Sequence, residues 1–251
     1  MQTGRVNVDE TRPVAEEFPE HARAHLLSTS VSRLNRLRAA VLGANDGLTS
    51  TAGLVVGVAG ATSGVAPLVI AGVSGLVAGS LSMGGGEFTS VSAQRDSQEA
   101  LLALQRHELE TVPDEELDEL AHLYAQKGLS TALAREVAAE LTSRDALAAH
   151  ADIELGIDVT DLVSPVEAAL ASAVAFALGG LLPILAVLLP PTSWRVPVTF
   201  ATVAAGLALT GHVAARLGQA PPGRATLRNV VIGLLAMAIT YGIGTAVGTA
   251  L

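Results

Sequence analysis

Residues 39–94 read AAVLGANDGLTSTAGLVVGVAGATSGVAPLVIAGVSGLVAGSLSMGGGEFTSVSAQ, and only two charged side chains interrupt these 56 positions: Asp46, within GANDGLTS, and Glu87, within SMGGGEFTS. The rest is mostly Ala, Gly, Val, Leu, Ser and Thr. A membrane helix needs about 20 predominantly apolar residues, so the stretch is long enough for two passes. A carboxylate at membrane depth is costly unless it faces water or a partner, which makes each acid a functional-site candidate by default. Met83 stands one helical turn before Glu87 and adds a soft sulfur to hard oxygens. Together the three residues suggest a membrane path for a transition-metal cation.

The 251-residue chain is 50% hydrophobic, 16% charged and 3% aromatic, with a mean hydropathy of +0.48. A soluble domain carries about 25% charged residues, and the deficit here is local. Residues 95–161 hold 16 of the 24 acidic residues and 5 of the 15 basic ones, a net −11, against −9 for the whole chain. An acidic insert therefore sits inside a nearly neutral, apolar protein. The sign of the charge and the lack of a basic stripe argue against a nucleic-acid partner. The absence of Cys rules out disulfides and thiolate metal sites. No Gly-rich phosphate loop, Ser/His/Asp arrangement or nucleotide fingerprint is visible, so the expectation is a protein that is not an enzyme and holds no permanent cofactor. Residues 1–32 are polar and acidic, lack the apolar core of a secretory signal, and read as a mobile tail becoming helical near Pro19.

The reading is an all-α polytopic membrane protein with five transmembrane helices. Residues 33–94 hold spans one and two, 95–161 a cytoplasmic acidic metal-binding bundle of three helices, and 162–251 spans three to five. The apolar stretches run about Leu37–Gly60, Ala66–Ser90, Val166–Leu189, Val196–Leu217 and Val230–Leu251. Arg33, Arg36 and Arg38 precede the first, and Arg216, Arg224 and Arg228 cluster around the link between the last two. With five spans these arginines fall on one side, which the positive-inside rule assigns to the cytoplasm. The N-terminus and the acidic segment then lie in the cytoplasm and the C-terminus outside. Small residues recur four apart at Gly43/Gly47, Gly53/Gly57, Gly75/Gly79 and Gly244/Gly248, a spacing that lets membrane helices approach closely and favours a symmetric dimer. Gly84-Gly85-Gly86 weakens its span, bending it or admitting another chain.

Within the insert, the first helix continues the second span from Gln94 to about Glu110. Asp114 is read as the N-cap of the next, which Gly128 closes. Ser130 opens a third that runs to Gly156, with a packing face of Leu133, Val137, Leu141 and Leu147.

Asp46 and Glu87 offer oxygen ligands, Met83 a thioether, and Asn45 either a carbonyl oxygen or a group that orients the Asp46 carboxylate. Oxygen alone suits Mg or Ca, and a thioether shifts preference toward first-row metals such as Fe(II). The bland alternative is that Asp46 caps a helix broken at Gly47 and Met83 fills a gap. In the insert, Glu116 and Glu119 share a helix face, on which Glu108 and Glu154 converge if the helices pack antiparallel; His150 lies one turn before Glu154. A solvated acidic surface is the competing reading. Glu119 and His122 match one half of a di-iron Glu-x-x-His pattern, which needs a second copy that the chain lacks. His212 is expected to bond a neighbouring helix.

At these residues the chain resembles the vacuolar iron transporter family, which includes nodulin-like and yeast calcium-cross-complementer relatives, and it looks like a bacterial-type member. The stretches that carry the resemblance are RAAVLGANDGLTSTAGLVVGV, SLSMGGGEFTSVSAQRDSQEA, RDALAAHADIELGI with SPVEAALASAVAFALGGLLPIL, and RNVVIGLLAMAITYGIGTAVG. It covers about Arg33 to Leu251. The resemblance implies a five-span homodimer whose first two spans build an ion path at the interface, and export of Fe(II), often Mn(II), from the cytosol in exchange for protons. By position, Asp46 and Met83 fall on the family's membrane ligands and Glu87 on the Glu of its Met-x-x-x-Glu pattern. Glu108, Glu116, Glu119 and Glu154 fall on its acidic metal-binding positions, and His150 near plant methionines. Gln105 departs from the pattern, replacing the first Glu of a Glu-x-x-Glu pair with Glu108, which implies weaker binding.

The expectation is thus a proton-coupled Fe(II)/Mn(II) antiporter in a bacterial plasma membrane, with Zn(II) and Co(II) as further candidate ions. Its partners are metal ions, protons, lipid and a second copy of itself. The alternatives are a membrane-anchored ferroxidase or a metal sensor using the Glu/His cluster of the insert.

Overall fold

A computed structural model describes residues 31–160 and 162–250, with the side chains of 31–35 left aside; the tail read over 1–32 lies almost wholly outside the described residues. The described chain is helical throughout, without strands. Its α-helices are α1 Val31–Ala61, α2 Val65–Thr111, α3 Pro113–Gln126, α4 Thr131–His150, α5 Pro165–Leu188, α6 Arg195–Leu217 and α7 Pro222–Ala250. A π-helical turn, Ala151–Leu155, follows α4, and a 3₁₀ turn, Thr192–Trp194, precedes α6.

Four of these helices are long and apolar enough to cross a membrane: α2, α5, α6 with its preceding turn, and α7. α1 falls outside that set. Its middle carries Asn45, Asp46, Thr49, Ser50 and Thr51, which lower its hydropathy. Yet α1 is the hub of the fold, packing most extensively on α5 and then on α7. Leu48, Ala52, Val55 and Val56 of α1 meet Leu68 of α2, Ile184 and Val187 of α5, Val203 and Leu207 of α6 and Met237 of α7 in one buried cluster. A helix sheltered on several sides can hold polar groups that a lipid-facing helix cannot.

The glycine spacing builds these seams within one chain. A Cβ at Gly43 or Gly47 would collide with the backbone of Ser172 or Phe176 in α5, and one at Gly179 with Ala44. On the other side, Gly244 abuts the Gly57 carbonyl and Gly248 the backbone of Ala61. α2 stays helical through Gly84-Gly85-Gly86. Gly84 packs on Ala173 of α5, whereas Gly85 and Gly86 face open space.

α2 runs 47 residues, out of the apolar stack and into the acidic insert. There α3 and α4 pack on each other and, more lightly, on α2. Two boundaries differ from the sequence reading. α3 starts at Pro113, whose fixed φ suits a first helical position, so Asp114 stands inside the first turn with Glu115 and Glu116 and does not cap it. The helix read as continuous from Ser130 to Gly156 breaks at Asp145 (φ −159°, ψ 96°), whose Oδ1 accepts the Ala148 N–H at 2.9 Å and restarts it. Ser130 caps the start as expected, and Gly128 and Gly156 take the positive φ (105° and 63°) that ends each element. The buried face of α4 is Ala134, Ala138 and His150; Leu133 is exposed and Val137, Leu141 and Leu147 are half-buried.

Polar contacts mark the two ends of the stack. Arg36 of α1 pairs with Glu167 in the first turn of α5, and the Arg95 guanidinium of α2 reaches the Val163 carbonyl at 3.5 Å. At the other end Arg195 donates to the Ser63 carbonyl, 2.9 Å, joining the α1–α2 link to the start of α6. Arg36, Arg38, Arg95, Arg216 and Arg228 therefore gather at the end from which the acidic insert projects.

Candidate metal path

Asp46 of α1 and Met83 of α2 are brought side by side. Both line a cavity of about 230 Å³ with Ser50, Thr51 and Ser82, and both line another of about 300 Å³ with Asn45, Thr49 and Asn229. α1 is continuous through Asp46-Gly47, so Asp46 is not the cap of a broken helix. Gly47 is there because α5 backbone presses on that face, which leaves the carboxylate to project from another. The Ser50 hydroxyl donates to the Asp46 backbone carbonyl at 2.6 Å. Among the described residues the carboxylate itself has no ion pair or hydrogen bond. An oxygen anion and a thioether beside two largely apolar cavities with a few hydroxyl and amide groups in their walls form a donor set for a borderline-soft divalent cation.

Asn45 lines the second of these cavities beside Asp46, and its side chain is itself hydrogen-bonded. Its Oδ1 accepts from Asn229 Nδ2 of α7 at 2.6 Å and from Thr210 Oγ1 of α6 at 3.2 Å. Asn229 also donates to the Leu207 carbonyl at 2.8 Å. The amide turns away from the α5 seam and ties α1 to α6 and α7, setting the rotation of α1 that presents Asp46 to Met83. Thr210 and Asn229 were not singled out from the sequence. The signal was there: an Asn just inside an apolar stretch needs a partner.

Glu87 lines neither cavity. It lies one turn beyond Met83 along α2, about 6 Å of helix rise, toward the end that carries the insert, with one carboxylate oxygen buried and without a hydrogen-bond partner.

In the insert, the six residues singled out by sequence do converge. Gln105 of α2 is buried and donates its Nε2 to Glu116 Oε2 of α3 at 2.6 Å. His150, fully buried, holds its Nδ1 3.6 Å from the same Glu116 oxygen and 3.8 Å from Glu154 Oε2. Burial raises the Glu154 carboxyl above the ordinary carboxylate range, and the nearby Glu119, Glu116 and Glu108 add to the rise while His150 opposes it. The π-helical turn aims Glu154 back at α3. Neither His150 ring nitrogen has a hydrogen-bond partner among the described residues, yet no three His, Asp or Glu side chains among them stand close enough to hold a metal as they lie. His122 does not join the cluster: it is exposed, its Nε2 2.8 Å from Gln126 Nε2. His212 is exposed on α6.

Four helices long and apolar enough to cross a membrane, packed around α1, define an integral membrane protein. The family model that matches residues 37–245 is the VIT family, and the chain belongs to it. The chain is similar to a vacuolar iron transporter of Acanthamoeba castellanii, 39% identical over 209 residues that span 83% of this chain and 77% of the relative. It is also similar to vacuolar iron transporter homolog 3 of Arabidopsis thaliana, 36% identical over 86% of each chain, and to vacuolar iron transporter homolog 1 of Oryza sativa subsp. japonica, 38% identical over 85% of this chain and 74% of the relative.

Proposed function

We propose that this protein is an antiporter that carries Fe(II), and Mn(II), out of the cytosol in exchange for protons. The observation that carries the reading is the meeting of Asp46 and Met83 across the α1–α2 seam, beside the same two cavities. Membership of a family with relatives named for iron transport supports the cargo. The acidic insert raises the local concentration of cations by electrostatic attraction, and its Glu108, Glu116, Glu119, Glu154 and His150 exchange partners with the arriving ion. Glu87 takes the ion at the mouth, and Asp46 with Met83 replaces its water shell at depth. Proton and metal compete for one carboxylate, so protonating Asp46 from the far side releases the ion and resets the path.

The reading places α1 in the bilayer as a fifth span, with the arginine-rich end of the stack and the insert in the cytoplasm of a bacterial cell and the C-terminus outside. It also makes the working unit a homodimer. The exposed Ile70, Val73, Val77 and Leu81 of α2, with open Gly85 and Gly86 beyond them, form the face that a second copy covers. The test is uptake into proteoliposomes under an imposed pH gradient with Fe(II), Mn(II), Co(II) and Zn(II) compared. Metal flux that rises with the proton gradient and moves protons the opposite way supports exchange; flux indifferent to the gradient contradicts it.

A further inference from the structure

Between α1, α6 and α7, at the arginine-rich end of the stack, lies a cavity of about 510 Å³. Its walls are largely apolar, with Leu37 and Leu42 of α1 opposite Ala214 and Leu217 of α6. Arg38 and Arg228 line it as well, and no Asp or Glu does. Arg38 and Arg228 are both exposed at this end of the stack, so they set two positive charges at the rim of the apolar void, where they attract an anion. Among the described residues neither has a carboxylate partner, which is true also of Arg106, Arg195, Arg216 and Arg224, none of which lines the cavity.

We propose that this cavity binds an anionic phospholipid, with its phosphate between Arg38 and Arg228 and the first part of its acyl chain along the apolar wall. The inference rests on reading α1, α6 and α7 as membrane helices. A free anion would satisfy the arginines and leave the apolar wall unfilled, and a neutral lipid would do the reverse. Basic pockets between membrane helices on the cytoplasmic side suit such headgroups. Asn45 and Asn229 line both this cavity and the one on Asp46, so the lipid sits against the hydrogen bonds that set the rotation of α1.

The experiment is native mass spectrometry of the full chain with phosphatidylglycerol and phosphatidylcholine in equal amounts, beside thermal melting with each lipid and with inorganic phosphate. The wild type retains one phosphatidylglycerol per chain in preference to phosphatidylcholine, and phosphatidylglycerol alone raises the melting temperature. The Arg38→Gln/Arg228→Gln pair loses about 30-fold in phosphatidylglycerol affinity, the worth of two basic residues against an anionic lipid, and keeps its phosphatidylcholine binding. Ala214→Phe, which fills the cavity and leaves its charge intact, lowers retention independently. Equal retention of the two lipids overturns the proposal. So does an unchanged affinity in the Gln pair, an equal loss in Arg216→Gln/Arg224→Gln outside the cavity, or stabilisation by inorganic phosphate equal to that by lipid.

Discussion

Asp46 and Asn45 are neighbours in sequence with opposite duties. Asp46 projects toward Met83 and the two cavities, while Asn45 spends its amide on Thr210 and Asn229. From the sequence Asp46 was the ligand and Asn45 either a second oxygen donor or a group orienting it; which partners the amide finds on α6 and α7 is a tertiary matter. Gln105 is the converse case. Its identity alone signals a missing charge; its position shows an amide hydrogen-bonded to Glu116 at 2.6 Å, which occupies one oxygen of that carboxylate. Gln105→Glu frees that oxygen and adds a ligand charge. Isothermal titration should find Mn(II) binding to the full chain about tenfold tighter in this variant, and unchanged affinity would show that Gln105 is not a competitor. Glu154 supplies a pH signature. Its carboxyl titrates above the ordinary range, so between its ordinary and its folded pKa the folded chain binds more protons than the unfolded one. Stability from this group therefore falls as pH rises through that window, since burial and then the neighbouring Glu119, Glu116 and Glu108 disfavour the ionised form. Melting of the insert in metal-free buffer should show that negative slope, and Glu154→Gln should flatten it.

The helices themselves were largely legible. Their apolar lengths, the Ser130 cap and the stops at Gly128 and Gly156 are local properties, written in residue type. The break at Asp145 was not, because SRDALAAH carries no Pro or Gly and Asp145 acts as an internal cap only once Ala148 is in reach. The α4 packing face was legible in part: Val137, Leu141 and Leu147 are half-buried, Leu147 against the Leu102 cluster, whereas the fully buried positions are Ala134, Ala138 and His150. The glycine spacing announced tight seams without saying which helix would fill them. α5 takes the Gly43–Gly47 face and α7 the Gly57 face. Gly47→Leu should cost about 3 kcal/mol or more, since its Cβ meets the Phe176 backbone, which cannot yield as a side chain would. Gly242→Ala on α7, with open space around it, should be neutral or stabilising by about 0.5–1 kcal/mol. Thermal melting of the two variants in detergent tests the pair, and equal losses would refute the seam.

The whole molecule resolves into an apolar stack with an acidic head, joined by the single 47-residue helix α2. That division was readable from charge alone, because residues 95–161 carry a net −11. The central place of α1 was not, since hydropathy ranks it below the other long helices and only packing shows what shelters its polar middle. Orientation can be tested in the natural background, which contains no Cys. Lys127→Cys in the insert should be labelled by an impermeant maleimide from the cytoplasmic face only, and Ser63→Cys from the outside only; the reverse pattern would invert the transport direction. The central claim is that cargo passes through Asp46. The most direct measurement is Fe(II) flux into proteoliposomes by wild type and by Asp46→Ala, each confirmed folded by its melting transition. Flux in the variant should fall to the level of protein-free vesicles. Undiminished flux through a folded Asp46→Ala protein would contradict it.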